Sequence, residues 1–292
     1  MAQHPIKKEL TYTFWAVKDS TGVYPYGNDG TMANGDISMM SRARGIQTFG
    51  VTQNAPAVKT LLADGGPFHT YRPQPTESVT AEVAAISLDK DLRVQSLGLS
   101  AYTEGQHSVL LGTNSCFDYA KLCLVLCYAA DIYDDSTGVT TQGKWWIEEY
   151  LDCDIFSAMA GGSGNPNDDP QQWTYSVTFR EPSKALHGES ITTANYGASK
   201  GFVRMYSSDN PVVYGTVLGD ASTTQFTIPA DYDPVGASAT YVQCWDDGVE
   251  QNYGSSAGEF ELNSSNNQLI DFATAPTTGS VHVFKLEFTS GC

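Results

Sequence analysis

Alternating apolar and polar positions recur along the chain and predict β-strands. In residues 172–180, Trp173, Tyr175, Val177 and Phe179 share one face, and hydroxyl side chains share the other. Residues 77–86 alternate in the same way. Two further runs, 10–17 and 46–51, are rich in aromatic and β-branched residues, which also favour strands. The pattern predicts a mainly β protein.

An apolar run over residues 121–134 is followed by Asp-Asp-Ser-Thr-Gly, a turn sequence. Residues 145–155 then predict the returning strand of a β-hairpin. The spacing of Ala120, Leu124 and Cys127 would also fit a helix, but the turn favours the strand interpretation. We predict one helix near residues 107–120, or a shorter one that begins at Cys116.

Segments rich in Gly, Asn, Asp and Pro divide the chain. Residues 20–45 predict one long irregular loop, of a length that is usually functional or ordered by a partner. Residues 160–171 predict a second polar loop. A linker is predicted from residue 181 to near 208. The division is therefore a β domain over 1–200 and a small β-sandwich over 206–292.

Charge narrows the classes of partner. The formal net charge is −17, so wrapping of nucleic acid is not expected, because phosphate binding needs a positive field. Residues 206–292 hold one lysine against 11 acidic residues, which suggests an outer surface or solubility alone. No apolar run reaches 18 residues, so no membrane span is expected. The chain begins without a signal-like segment, so synthesis and folding in a cytoplasm are expected.

The cysteines and histidines predict no metal framework or cofactor. Cys123 and Cys127 lie in an apolar run and are expected to be small buried hydrophobes. The histidines are scattered, and Cys-x-x-Cys is absent. Cys292 is a terminal thiol, which is either inert or able to cross-link to a neighbouring subunit.

No catalytic signature is present, and no enzyme is expected. The sequence lacks Gly-x-Ser-x-Gly, a Walker loop and His-Glu-x-x-His. Adjacent carboxylates occur at 134–135, 148–149, 168–169 and 246–247. Neighbouring strand residues face opposite ways, so such pairs are expected to be solvated turns and not the two acids of a glycosidase. Residues 165–169 loosely resemble a calcium loop but lack the spacing and closing glutamate of an EF-hand.

Aromatic and cationic residues give the candidate interface. Trp145 and Trp146 must point to opposite faces of a strand, so one of them is expected outside the core or in a subunit interface, where tryptophan is enriched. Arg42 and Arg44, which precede the strand at 46–51, are further interface candidates. With Trp173 and Trp245, the pair could instead form a sugar-binding platform, although Trp173 is expected in the core.

Several segments together resemble the major tail proteins of bacteriophages. They are Trp145 to Arg180, with its strand QWTYSVTF, and residues 44–51 (RGIQTFGV) followed by Gly65-Gly66 and 77–80 (ESVT). The later segments 226–232 (FTIPADY), 246–249 (DDGV) and 270–279 (IDFATAPTTG) resemble Ig-like or fibre-like β modules of phage tails and fibres. The resemblance covers about two-thirds of the chain. The loop at 20–45 and the cysteine content depart from it.

The resemblance implies a tail-tube-type β-barrel or sandwich with one flanking helix, plus a small C-terminal Ig-like β-sandwich. It implies hexameric rings that stack into a tube through which DNA is delivered without specific binding. Partners would be further copies of the chain and other tail proteins, such as the tape measure and the terminator, in a virion made in a host cytoplasm. The C-terminal module would decorate the outside and be dispensable for the tube.

Two alternatives stay open from the residues alone. A capsid decoration or fibre protein would use the same β modules without a lumen. A carbohydrate-binding or hydrolytic β-sandwich would be a monomer with a concave aromatic cleft. The absence of a convergent acid–base pair in the sequence favours the tail-tube and the decoration or fibre interpretations over the carbohydrate-binding or hydrolytic one.

Overall fold

The structure is a computed structural model that describes residues 3–44, 46–52, 59–63, 66–71, 80–85, 90–111, 120–157, 173–229, 239–263 and 269–289. In chain order its strands are β1 (Gln3–Val17), β2 (Ile37–Met39), β3 (Ser41–Arg42), β4 (Ile46–Thr52), β5 (Lys59–Ala63), β6 (Gly66–Tyr71), β7 (Thr80–Ala85), β8 (Ser100–Glu104), β9 (His107–Leu111), β10 (Leu122–Asp134), β11 (Val139–Ser157), β12 (Trp173–Phe179), β13 (Val203–Ser208), β14 (Val212–Leu218), β15 (Gln225–Thr227), β16 (Ala239–Asp246), β17 (Val249–Glu250), β18 (Phe260–Leu262), β19 (Leu269–Phe272) and β20 (Val281–Phe288). Two helices accompany them, α1 (Lys90–Leu97) and α2 (Thr193–Tyr196).

Eight strands form the large antiparallel sheet. Their order is β3-β1-β10-β11-β12-β7-β4, and β13 pairs with β11 beside β12. The predicted strands at 10–17, 46–51, 77–86 and 172–180 are confirmed, within the described residues, as parts of β1, β4, β7 and β12. The predicted hairpin is confirmed as β10 and β11, and the Gly138 amide donates to the Asp134 carbonyl at its turn.

Two smaller sheets hold most of the later residues. One has the order β17-β16-β20-β14-β2, and the other has the order β15-β19-β18. Side chains from both sheets belong to one buried cluster, with Val242, Phe284, Phe226 and Phe272 among its members. This supports a sandwich-like arrangement of antiparallel sheets. None of the sheets in the described ranges closes into a barrel.

The helix prediction is wrong where the structure describes it. His107–Leu111 is the strand β9, which pairs with β8 across a turn at Gly105, where φ is +61°. Residues 112–119 lie outside the described residues. The helix that contacts the large sheet is α1, through the buried Leu92. Neither described helix has the length and hydropathy needed to cross a bilayer.

The prediction of one irregular loop over 20–45 is also wrong, because it contains β2 and β3. β2 pairs with β14 of the five-stranded sheet, while β3 pairs with β1 of the large sheet. Between them Met40 is buried, and its amide donates to the Tyr214 carbonyl. The segment is therefore ordered by its own chain and joins the two sheets.

The predicted linker from 181 to near 208 ends in regular structure. Residues 203–208 are β13, which pairs with β11 from Trp145↔Ser208 to Tyr150↔Val203. Before it, Ala185, Leu186 and Ile191 are buried. The division at 200–206 stays a prediction about folding units, but strand pairing and the core both continue across it.

Each face of the large sheet packs against its own core. On one face, Tyr12, Phe14 and Ile147 share a cluster with side chains of β14, β16 and β20. On the other face, Trp15, Leu124 and Tyr150 cluster with Leu92 of α1 and with Phe49 of β4. Phe49 lies three strands from β11, and its ring centroid is 5.0 Å from that of Tyr150. The sheet therefore curls towards itself on this second face.

Candidate functional site

A buried polar cluster lies between the large sheet and the five-stranded sheet. Its centre is Glu149 of β11, whose side chain is fully buried. Arg204, its cross-strand neighbour on β13, donates from Nη1 to Glu149 Oε2 at 3.0 Å. Tyr206 and Tyr214 donate their hydroxyl protons to Oε1 at 2.5 and 2.8 Å. Because Tyr214 belongs to β14, these hydrogen bonds join the two sheets.

The surroundings of Glu149 favour the charged form of Arg204 and the neutral forms of Tyr206 and Tyr214. Burial opposes the charge on Arg204, but Glu149 and the neighbouring tyrosines raise its pKa. Burial, and then the charge of Glu149, raise the pKa values of Tyr206 and Tyr214 well above the usual value. Glu149 is therefore held by donors on both oxygens, as a buried carboxylate requires.

His187 continues the cluster towards the surface. Its ring stacks on Trp245 with centroids 4.3 Å apart. Arg204 Nη1 lies 3.3 Å from Nδ1, and Glu189 Oε2 lies 3.1 Å from Nε2. Since arginine can only donate, Nδ1 accepts and Nε2–H donates to Glu189. Burial, and then the charge of Arg204, lower the pKa of His187, so the neutral ring fits the site.

Glu148 is buried on the opposite face of β11. It accepts hydrogen bonds from Lys7 of β1 and from the Tyr150 hydroxyl, the latter at 2.9 Å. The prediction that Glu148 and Glu149 form a solvated turn is therefore wrong. Both lie in the middle of β11, in the part of that strand whose two faces are covered. Only the expected opposite orientation is confirmed, and it keeps the two acids from sharing a cleft.

The other carboxylate pairs have separate outcomes. At the exposed hairpin turn, Asp134 accepts from Ser136, as predicted. Asp247 and Gly248 form the turn between β16 and β17, with φ of +45° and +83°. Residues 165–169, including the third pair, lie outside the described residues. In the described ranges no group of three or more His, Cys, Asp or Glu side chains is placed to hold a metal ion.

Two surface cavities flank Tyr206. One, of about 560 Å³, is lined by Tyr196, Phe202 and Arg204 among others. The other, of about 420 Å³, is lined by Lys144, Asp209 and Lys285 among others. Both carboxylate oxygens of Glu149 accept hydrogen bonds from Arg204, Tyr206 and Tyr214. Glu149 is therefore not available in either cavity as a free acid or base.

The tryptophan prediction is half right. Trp145 and Trp146 point to opposite faces, but neither is left outside a core. Trp145 packs on the first cluster, with its ring centroid 5.6 Å from that of Tyr12, and Trp146 packs on the second. The reason is that the large sheet is covered on both faces. No open aromatic platform is formed by this pair.

Of the remaining predicted site residues, Arg42 lies near Trp145, because both side chains contact the Tyr12 ring. Arg42 lies in β3 with its guanidinium carbon 4.7 Å from the Tyr12 ring centroid, and burial lowers its pKa. Arg44 is exposed. Cys123 and Cys127 are confirmed as buried free thiols. Cys292 and Cys116 lie outside the described residues, as does the side chain of Trp173.

A three-stranded ribbon is the second candidate site. It consists of residues 3–10 of β1, 129–134 of β10 and 139–144 of β11, and we call it the distal ribbon. In the described part of the chain, β3 pairs with β1 only at Phe14 and Trp15, and β13 reaches β11 only from Trp145 onward. Both outer edges of the ribbon therefore lack a strand partner there. Ile6 and Val139 on these edge strands are 53% and 56% exposed.

Polar side chains tie the ribbon together from within. Lys8 pairs with Asp131 at 2.8 Å, and His4 contacts Asp135 at 2.7 Å. These exposed pairs add little stability individually, since water screens them. Their consequence is that Lys8 and Asp131 satisfy each other within the ribbon, while the edge-strand side chains of Ile6 and Val139 stay exposed.

No family model and no curated protein matches the sequence.

Proposed function

We propose that the protein is a non-enzymatic structural subunit of a self-assembling particle, and specifically a subunit of stacked rings in a bacteriophage tail tube. The observation that carries the proposal is the distal ribbon, with two edges that no described strand covers and with exposed Ile6 and Val139. The proposal of a tail tube in particular rests also on the resemblance of residues 145–180 and of the later β segments to phage tail proteins.

Unpaired strand edges favour association. Edge strands expose unpaired N–H and C=O groups, and soluble monomers usually protect them with charges, proline or short strands. Here β1 carries Pro5, Lys7 and Lys8, but both lysines pair with acids of the same molecule. A neighbouring copy could supply the missing strand contacts and cover Ile6 and Val139. Repeated head-to-tail contacts would give a closed ring or a filament.

The acidic charge suits a conduit for DNA. A net charge of −17 gives a field that repels phosphates over about 10 Å at moderate ionic strength. DNA would then pass without specific binding. Residues 206–292 would lie on the outside of the ring, as first expected. Their strands share a core with the large sheet, so we now expect them to be required for the subunit to fold.

The test is electron microscopy and sedimentation of the purified full chain at increasing concentration. Rings or tubes are expected from the unchanged protein. Ile6→Lys and Val139→Lys should reduce assembly strongly while leaving the monomer folded. Val249→Lys is the matched control, because Val249 is 66% exposed but lies on β17 of the other sheet.

Other outcomes would point elsewhere. Monomers or trimers at every concentration, unaffected by the ribbon substitutions, would overturn the tube and favour a decoration or fibre protein. Hydrolysis of glycans is disfavoured because Glu148 and Glu149 face opposite sides of β11 and are both engaged. Glycan binding by a monomer would instead support a sugar-binding module.

A further inference from the structure

Lys18 is a buried amine immediately after β1. Its side chain is 1% exposed, and Nζ donates to the Leu151 carbonyl at 2.8 Å. The backbone around it is fixed as well, since the Lys18 amide donates to the Lys121 carbonyl. A lysine is almost never fully buried unless it is paired. The groups around the Lys18 amine therefore need to be identified.

A β-bulge brings Asp152 to this amine. The pairing of β10 with β11 passes from Leu124↔Tyr150 to Leu122↔Cys153, so Leu151 and Asp152 together lie opposite one residue, Cys123. Such a bulge re-aims a side chain. The result is a distance of 3.9 Å between Lys18 Nζ and Asp152 Oδ2. The lysine is oriented by the carbonyl of the residue just before its acid.

Asp152 is poorly satisfied as a carboxylate. Its side chain is 9% exposed, and in the described structure Oδ1 is buried without a hydrogen-bond partner. The contact with Lys18 is longer than a hydrogen bond. Burial raises the pKa of Asp152, although the charge of Lys18 opposes this rise. Transfer of one proton within the pair would replace two buried charges with a neutral acid and a neutral amine.

We propose that Lys18 and Asp152 condense to form an intramolecular isopeptide bond. The lone pair of the neutral amine attacks Cγ of the carboxylic acid, and a bond forms between Nζ and Cγ. The C–O bond to the acid hydroxyl then breaks, and that oxygen leaves as water with the hydroxyl proton and one proton of the amine. No oxidant, reductant or further reactant is needed.

Asp154 is the next acid along β11. It follows Asp152 by two positions on β11, and its charge contributes to the raised pKa of Asp152. Arg180 donates to Asp154 Oδ2 from Nη2 at 2.6 Å and from Nε at 3.1 Å. Oδ1 is buried and has no hydrogen-bond partner in the described residues. The effect of Asp154 on the pair is therefore electrostatic, because its charge disfavours a second charge on Asp152.

The bond would tie the end of β1 to the bulge of β11 across β10, which lies between them. A cross-link that closes a loop of more than 100 residues restricts the unfolded chain strongly. We expect the bond to raise the Tm by about 10 °C. A subunit that bears tension would gain resistance to peeling of its first strand.

The first measurement is the intact mass of the full chain, followed by digestion and tandem mass spectrometry. We expect folded protein held at neutral pH to become lighter by one water, with a branched peptide that joins Lys18 to Asp152. Lys18→Arg keeps the positive charge but removes the nucleophile, and Asp152→Ala removes the acid. Each of these two variants should keep the full mass calculated from its own sequence, with no loss of water.

Lys7→Arg is the matched control. Like Lys18, Lys7 pairs with a buried acid of β11, in this case Glu148. The Lys7 side chain is 39% exposed, however, and stays hydrated. Its substitution should leave the loss of water intact. An unchanged mass for folded wild-type protein, or a loss of water without the branched peptide, would overturn the proposal. The measured quantity is the mass of the individual chain, so the result is independent of whether rings assemble.

Discussion

The two faces of the large sheet differ in how they are covered. The second face, which carries Trp15 and Tyr150, is closed by α1 and by strands of the same sheet, which curl over it as far as β4. The first face, which carries Tyr12 and Phe14, is closed by β14 and β20 from the far end of the chain. One face is therefore covered by its own sheet and the other by a second sheet, to which the Glu149 cluster ties it through Tyr214.

Ending the chain at residue 205 should have the largest effect. It would remove the strands that cover Tyr12 and Phe14, and it would cut β13 in half. We expect loss of cooperative folding, because the exposed apolar face has no other cover. Near-ultraviolet circular dichroism and urea unfolding would measure this. A cooperative transition in the shortened chain would show that the first face does not depend on docking.

Glu149→Ala should be the most damaging single substitution in the cluster. It leaves Arg204, Tyr206 and Tyr214 without their acceptor, and removal of one partner of a buried ion pair costs about 3–5 kcal/mol. Glu148→Ala, on the other face, should cost less, about 1–3 kcal/mol, because Lys7 can return to water and only the Tyr150 hydroxyl loses its acceptor. Urea titrations of both variants would decide the order. Equal losses would contradict the special role of the first face.

Gly248→Ala should weaken the contact between the later hairpin and residues 185–189. Gly248 has φ of +83°, and an added Cβ would lie 2.5 Å from the Gly188 carbonyl oxygen. Backbone strain and overpacking together should cost about 3 kcal/mol. Gly258→Ala is the control, since φ is +84° but no atom lies within 4 Å of the added Cβ. It should cost about 1 kcal/mol, measured by the same urea midpoints.

Acidification should lower the stability of the folded chain, and this should be the smallest of the expected effects. The pKa of His187 is lowered by burial, so the unfolded chain binds a proton more readily than the folded chain. Stability should therefore fall as pH drops through the unfolded value of about 6.5. His282, also lowered by burial, acts in the same direction.

His187→Gln should flatten the part of this pH dependence that His187 contributes. Urea midpoints at several pH values between neutral and mildly acidic would measure it. An unchanged slope would mean that His187 does not titrate on unfolding in that range.

Local patterns determined the strands, because side-chain alternation and turn residues act over a few positions. The alternation of 172–180 and the turn at 134–138 predicted β12 and the β10–β11 hairpin correctly. Cys123 and Cys127 were also predicted correctly as buried, since their neighbours are apolar. In the sequence, only the apolar residues around Glu149 on β11 indicated that its side chain would be buried.

Tertiary structure decided which strands share a sheet and which polar groups are buried. β2 is read as loop from the sequence because three residues carry little periodicity, and only β14 gives it a partner. Glu148 and Glu149 are read as solvated because a sequence window does not show that both faces of β11 are covered. The approach of Lys18 to Asp152 depends on a one-residue bulge, which arises from the register of β10 with β11 and has no signature within either strand.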